Sequence, residues 1–233
     1  MGFCFPAPAQ PSVPIAGSPD AFPVHRIYCV GRNYAEHARE MGASGREAPF
    51  FFCKPADAVL YAAAGPIPIR YPDRTSDLQH EVELVVAIGA PGYQVAVEDA
   101  APLVWGYAVG IDLTRRDLQA DLKRLGRPWE IGKAFDGSAP IGAIRPASQA
   151  GSLGERGIWL DVNGQRRQRG QLSQMIWSVE ETISELSGFF ELAAGDLIFT
   201  GTPAGVGPLA RGDRIEAGID GIGTIQALVT DRR

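Results

Sequence analysis

Twenty-eight glycines and 18 prolines are scattered along this chain of 233 residues, so regular structure is interrupted at short intervals. Glycine and proline are both costly inside helices, and proline also removes a backbone donor. Such a chain favours many short strands over long helices. Strand-like runs of β-branched and apolar residues, bounded by Gly, Pro or Asp, fall at 27–30, 67–69, 81–88, 104–112, 158–162, 196–200 and 223–230. Helical periodicity is confined to three segments. Residues 33–41 start at Asn33, in N-cap position, and stop at Gly42. Residues 114–125 bring Leu118, Leu122 and Leu125 together before Gly126, and residues 178–190 open with the capping-box pair Ser178 and Glu181 ahead of Ile183, Leu186 and Phe190. The pattern predicts a β-dominated α+β fold: an extended, Pro-punctuated arm over 1–23, then a single domain over 24–233.

Composition narrows the function classes. With 45% hydrophobic and 21% charged residues the chain can bury a proper core. A net charge of -5 argues against a nucleic-acid partner, which would require a basic face. The longest apolar run, about nine residues from Leu103 to Ile111, is far short of a membrane span. Residues 1–25 hold no Lys or Arg and are broken by Pro6, Pro8, Pro11 and Pro14, unlike a secretory signal. Cys4, Cys29 and Cys53 are scattered without metal-knuckle spacing. A reducing cytoplasm is the expected setting.

His80-Glu81-Val82-Glu83-Leu84-Val85-Val86 puts Glu81 and Glu83 on one face of a strand and Val82, Leu84 and Val86 on the other. Two adjacent carboxylates are expensive to bury unless they share a cation. They mark either a solvent-facing charged edge or a site for Mg²⁺, Mn²⁺ or Ca²⁺. Asp112 ends the next apolar run, where it either caps the following helix or supplies a third carboxylate. His37 and Glu40 share a helix face, as a surface pair or as a general base with its orienting carboxylate. Arg116, Gln119 and Lys133 are solvated side chains or a donor cluster for an oxygen-rich anion. The loop Thr200-Gly201-Thr202-Pro203-Ala204-Gly205-Val206-Gly207 lacks both the P-loop ending and a dinucleotide fingerprint, which leaves a tight turn offering N–H groups to a small anion.

Six segments in this order resemble the fumarylacetoacetate hydrolase family, in particular its short, single-domain acylpyruvate hydrolase branch. They are Cys29-Val30-Gly31-Arg32-Asn33-Tyr34 with His37 and Glu40; Phe52-Cys53-Lys54-Pro55; His80-Glu81-Val82-Glu83-Leu84; Gly110-Ile111-Asp112 running to Gln119; Gly132-Lys133-Ala134-Phe135-Asp136; and the 200–207 loop. The resemblance implies a mixed β-roll or sandwich, a homodimer, a Mg²⁺ or Mn²⁺ site, and a small 2-oxo acid substrate. It assigns the metal to Glu81, Glu83 and Asp112, water activation to His37 and Glu40, and substrate contacts to Lys133, Arg116, Gln119 and Thr202. Leu113-Thr114-Arg115-Arg116-Asp117 and Arg127-Pro128-Trp129-Glu130 look most like the sequences that cleave fumarylpyruvate in aromatic catabolism. That substrate's far carboxylate requires another cation, for which Arg32, Arg46, Lys54 and Arg74 are candidates. Oxaloacetate decarboxylation, isomerisation or decarboxylation in homoprotocatechuate breakdown, and non-catalytic binding of a 2-oxo acid are the alternatives.

Overall fold

The computed structural model describes residues 2–34, 46–62 and 64–231. Two mixed sheets dominate. The larger has the order β12 (Arg145–Pro146), β9 (Val104–Ile111), β8 (Val82–Ile88), β15 (Leu197–Phe199), β3 (Ile27–Gly31), β4 (Phe50–Lys54). The other runs β14 (Gln165–Gln171), β13 (Gly157–Val162), β17 (Arg214–Ile219), β18 (Gly223–Thr230), β6 (Ile67–Arg70). A small sheet, β10 (Thr114–Arg115), β7 (Leu78–His80), β16 (Gly207–Leu209), sits at one end of β8. The strand pairs β1 (Ser12–Pro14) with β2 (Ala21–Pro23) and β11 (Ala139–Pro140) with β5 (Val59–Leu60) complete the framework. The helices are α1 (Arg116–Arg124), α2 (Glu130–Lys133), α3 (Ala147–Ala150) and α4 (Val179–Phe189). This is the β-dominated α+β architecture that the turn-rich sequence predicts.

Strand β8 is buried along its whole length because both faces are covered. Val82, Leu84, Val86 and Ile88 pack with Ile158, Leu160, Ile215, Ala217 and Ile225 of the second sheet. Val85 and Ala87, on the opposite face, meet Val13, Phe22, Ile141 and Ile144. The arm expected over 1–23 therefore folds back from Ser12 onward, because β1 and β2 pair and bury Val13 and Phe22.

Two boundaries shift for local reasons. The strand expected over 81–88 breaks at Glu81, between β7 and β8. The helix expected over 114–125 starts at Arg116, since Thr114 and Arg115 pair with Gln79 and Leu78. Helix α4 keeps its predicted cap: Ser178 Oγ accepts from the Glu181 N–H, and the Glu181 side chain reaches back to Ser178. Most of the helix expected over 33–41 lies outside the described residues. Asn33 itself is buried and bridges two other segments. Its Nδ2 donates to Thr200 O at 2.8 Å and to Trp177 O at 3.0 Å, and its Oδ1 accepts from Trp177 N at 2.7 Å.

Gly110, opposite Glu83 in the β8–β9 ladder, has no room for a side chain. A Cβ there would lie 2.5 Å from Val85 Cγ2 and 2.6 Å from the Phe199 ring. Gly110→Ala should cost about 1–3 kcal/mol through overpacking, read as a lower urea midpoint with an unchanged m-value.

Candidate functional site

The β8–β9 register assembles the carboxylates. Val82 pairs with Ile111 and Glu83 with Gly110, and Asp112 N donates to Glu81 O at 2.8 Å just beyond the ladder. Carboxylate oxygens of Glu81, Glu83 and Asp112 consequently lie within 4.8 Å of one another, all three residues buried. The solvent-facing edge is thereby excluded for the glutamates, and Asp112 does not cap the next helix. Its side chain faces two lysines.

Lys133, on the short helix α2, donates from Nζ to Glu81 Oε2 at 2.8 Å and to Asp112 Oδ2 at 2.7 Å. Lys54 Nζ lies 2.8 Å from Asp112 Oδ1 and also donates to the backbone carbonyls of Lys133 and Leu113. Arg116, the first residue of α1, reaches Glu81 Oε1 through one nitrogen, Gln119 Oε1 at 2.6 Å through another, and Gln79 Oε1 at 2.8 Å through Nε. Three cations thus surround three carboxylates. Gly132 is what lets α2 approach α1 this closely, since a Cβ there would sit 3.1 Å from Gln119.

The carboxylates still strain against each other. Burial, then the neighbouring Asp112 and Glu81, hold the Glu83 carboxyl well above its ordinary range, and only part of this is relieved by the Lys133 charge and by the Gly201 N–H, which donates to Glu83 Oε2 at 2.8 Å. Burial pulls the Lys133 ammonium down, but Asp112 and Glu81 outweigh it and leave its pKa raised. Asp112 Oδ1, although beside Lys54, receives no hydrogen bond from the described residues. Hard oxygen donors this close together, one with an unfilled acceptor, suit a divalent ion of the Mg²⁺ or Mn²⁺ type.

The triad lines a narrow cleft together with Arg116, Gln119, Lys133, Thr202, Arg32, Phe50 and Trp129. Of the four cations expected for a far carboxylate, only Arg32 lines it. Lys54 is buried behind Asp112. Arg46 pairs with Glu181 at 2.5 Å and lies over the Trp177 ring, and Arg74 is exposed away from the cleft. His37 and Glu40 lie outside the described residues.

One residue at this site escapes sequence reasoning. Gln168 belongs to β14, in the second sheet, yet is fully buried. Its Oε1 accepts from Val82 N at 3.0 Å and lies 2.9 Å from His80 Nδ1. Its Nε2 donates to Thr202 Oγ1 at 2.7 Å and to Pro203 O at 2.8 Å. Thr202 Oγ1 in turn donates to Val82 O at 2.8 Å. Gln168 thus fixes the strand break at Glu81 and the 200–207 loop together. Desolvation keeps the His80 pKa low, against the opposing effect of its hydrogen bond to Gln168 Oε1. Nothing in Gln165-Arg166-Arg167-Gln168-Arg169 distinguishes the buried glutamine from its exposed neighbours.

Two outcomes follow from this geometry. Gln168→Leu strands several buried polar groups and should cost at least about 2 kcal/mol in a chemical-denaturation experiment. Because the Glu83 carboxyl titrates above its unfolded value, its charged form is disfavoured in the metal-free fold, and metal must displace its proton. Mn²⁺ affinity should therefore fall as pH drops below the raised Glu83 pKa, with proton release seen by calorimetry in buffers of different ionisation enthalpy. The metal-free protein should lose stability as pH rises from the ordinary carboxylate range through that raised pKa.

Comparison with known proteins agrees with this arrangement. Residues 26–230 match the family described as fumarylacetoacetate (FAA) hydrolase, C-terminal. The fold superimposes with a TM-score of 0.97 on a fumarylpyruvate hydrolase from Pseudomonas aeruginosa, solved with Mn²⁺ and pyruvate. That protein is 55% identical, over 99% of this chain and all of its own. An oxaloacetate tautomerase of Escherichia coli is 42% identical over 86% of this chain and 90% of its own length. A mitochondrial oxaloacetate tautomerase of Mus musculus is 44% identical over 84% of this chain and 87% of its length. The chain belongs to the fumarylacetoacetate hydrolase family.

Proposed function

We propose that the protein is a metal-dependent hydrolase that cleaves an acylpyruvate at a carbon–carbon bond, with fumarylpyruvate, giving fumarate and pyruvate, as its substrate. The observation that carries the reading is the buried acidic triad beneath a donor-lined cleft, in a chain 55% identical to a fumarylpyruvate hydrolase that holds Mn²⁺ and pyruvate.

In this reading Glu81, Glu83 and Asp112 hold Mg²⁺ or Mn²⁺. The bound ion supplies Lewis-acid chemistry, polarising the oxygens of a 2-oxo acid and favouring the enolate that leaves. Lys133 Nζ, fixed between Glu81 and Asp112, and the Arg116–Gln119 pair present N–H donors to the oxyanion of the attacked acyl group. His37, oriented by Glu40, takes a proton from water, which adds to the acyl carbonyl. The bond from that carbon to the CH₂ of the pyruvyl part then breaks, and the pyruvate enolate accepts a proton from the same imidazole. Thr202, whose hydroxyl is committed to Val82 O and Gln168, holds the cleft wall in place and is not a free donor.

A second reading, oxaloacetate tautomerisation, is favoured by the relatives at 42% and 44% identity. It uses the same enolate-stabilising site and needs no attacking water. Loss of fumarylpyruvate ultraviolet absorbance, with Mg²⁺ and then with excess EDTA, separates the two when run beside an oxaloacetate enol–keto assay. Metal-dependent release of fumarate and pyruvate is the expected result. Inert fumarylpyruvate with fast oxaloacetate conversion would give the reaction to the tautomerase reading. His37→Ala should lower turnover about 100- to 10,000-fold while leaving Mn²⁺ affinity unchanged, and full activity in that variant would remove His37 from the mechanism.

A further inference from the structure

Among the described residues, the charge balance of the cleft leaves one cation without a carboxylate. Glu81, Glu83 and Asp112 are matched by Lys54, Lys133 and Arg116, each within ion-pair distance of at least one of them. Arg32 also lines the cleft, yet forms no ion pair among the described residues. Its Nε is buried without a hydrogen-bond partner, although a guanidinium carries five donors. A divalent ion in the triad would add further positive charge, so the loaded cleft has an excess suited to a ligand with more than one negative charge.

The backbone holds Arg32 in that position at a cost. Its φ is 58°, in the left-handed region that non-glycine residues rarely occupy and that recurs where function demands it. Gly31, immediately before it, allows the Phe50 ring to lie against the chain where a Cβ would overlap it. The Arg32 guanidinium then rests 5.7 Å from the centre of that ring. Phe50 is itself braced edge-on by Trp129, ring centres 5.3 Å apart. The guanidinium is therefore mounted on an apolar wall, its fork bonded to none of the described residues and suited to a planar, bidentate partner.

We propose that Arg32 recognises the far carboxylate of the substrate, and that the protein consequently selects 2-oxo acids carrying a second, terminal carboxylate over those with a neutral end. This rests on the reading above that the triad takes the 2-oxo acid end. Arg32 binds by a charge-assisted pair across the apolar wall and takes no part in bond breaking, so its effect falls on affinity and selectivity.

Two unreactive probes test it by calorimetry on the Mn²⁺-loaded protein. One is 2-oxoheptanedioate, which has the chain length of fumarylpyruvate but lacks the carbonyl that water attacks. The other is 2-oxoheptanoate, identical except for a methyl end. The wild-type protein should bind the dicarboxylate at least about tenfold more tightly. Arg32→Gln should abolish that preference while still binding the monocarboxylate, and Arg32→Lys should restore part of it. Equal binding of the two probes by the wild-type protein would overturn the proposal. So would a preference that survives Arg32→Gln, or an equal loss of both probes in that variant. The hydrolase reading fails separately: inert fumarylpyruvate, with the Arg32-dependent preference intact, would leave this recognition standing.

Discussion

The hydrogen bond from Asp112 N to Glu81 O, one step past the β8–β9 ladder, is the contact on which the site depends. It places three acids side by side in the interior of a sheet covered on both faces. Bare carboxylates there would be prohibitively costly, because desolvating each one costs several kcal/mol. The surrounding chain is built to offset that cost. α1 begins where Arg116 can meet Glu81, α2 ends where Lys133 can bridge Glu81 and Asp112, and edge strand β4 contributes Lys54 from behind. Helix placement and strand order thus serve the neutralisation of one buried acidic cluster.

Separate elements divide the work. The strands hold the acids rigidly, while the wall opposite them comes from aromatic side chains and the Gly201 turn. Gly201 adopts φ 95°, and a Cβ there would press on Asn33. This close approach aims its N–H at Glu83 and brings Thr202 to the cleft. Carbonyl chemistry in such a place benefits from low water access, since every donor inside acts more strongly there than in bulk solvent.

Much of this is legible in the sequence because it is local. Alternation in His80-Glu81-Val82-Glu83 puts both glutamates on one face whatever the neighbouring strands are, and the Ser178–Glu181 cap fixes the start of α4 without tertiary help. The seven strand segments coincide with observed strands to within a few residues. Contacts made across sheets are not legible. Lys54 reads as a substrate cation by its position in a motif, yet the β3–β4 pairing turns it beneath Asp112. Gln168 sits among exposed Arg and Gln residues and is buried only because β14 passes over the break before β8. The helix expected from Asn33 onward falls largely outside the described residues, whereas Asn33 itself answers to Thr200 and Trp177, far along the chain.

Gln168 also ties the mechanics of the molecule to its chemistry. Apolar faces packed sheet on sheet can slide or repack with modest loss, since dispersion contacts have little directionality. Four directional bonds from one buried side chain of that sheet, two to the strand break of the other and two to the 200–207 loop, act as a dowel between the two layers. The layers cannot shift relative to each other without disturbing the acids beside that break. Adaptation of the outer sheet, whether by drift or by engineering, is therefore confined to changes that leave its alignment over the inner one intact.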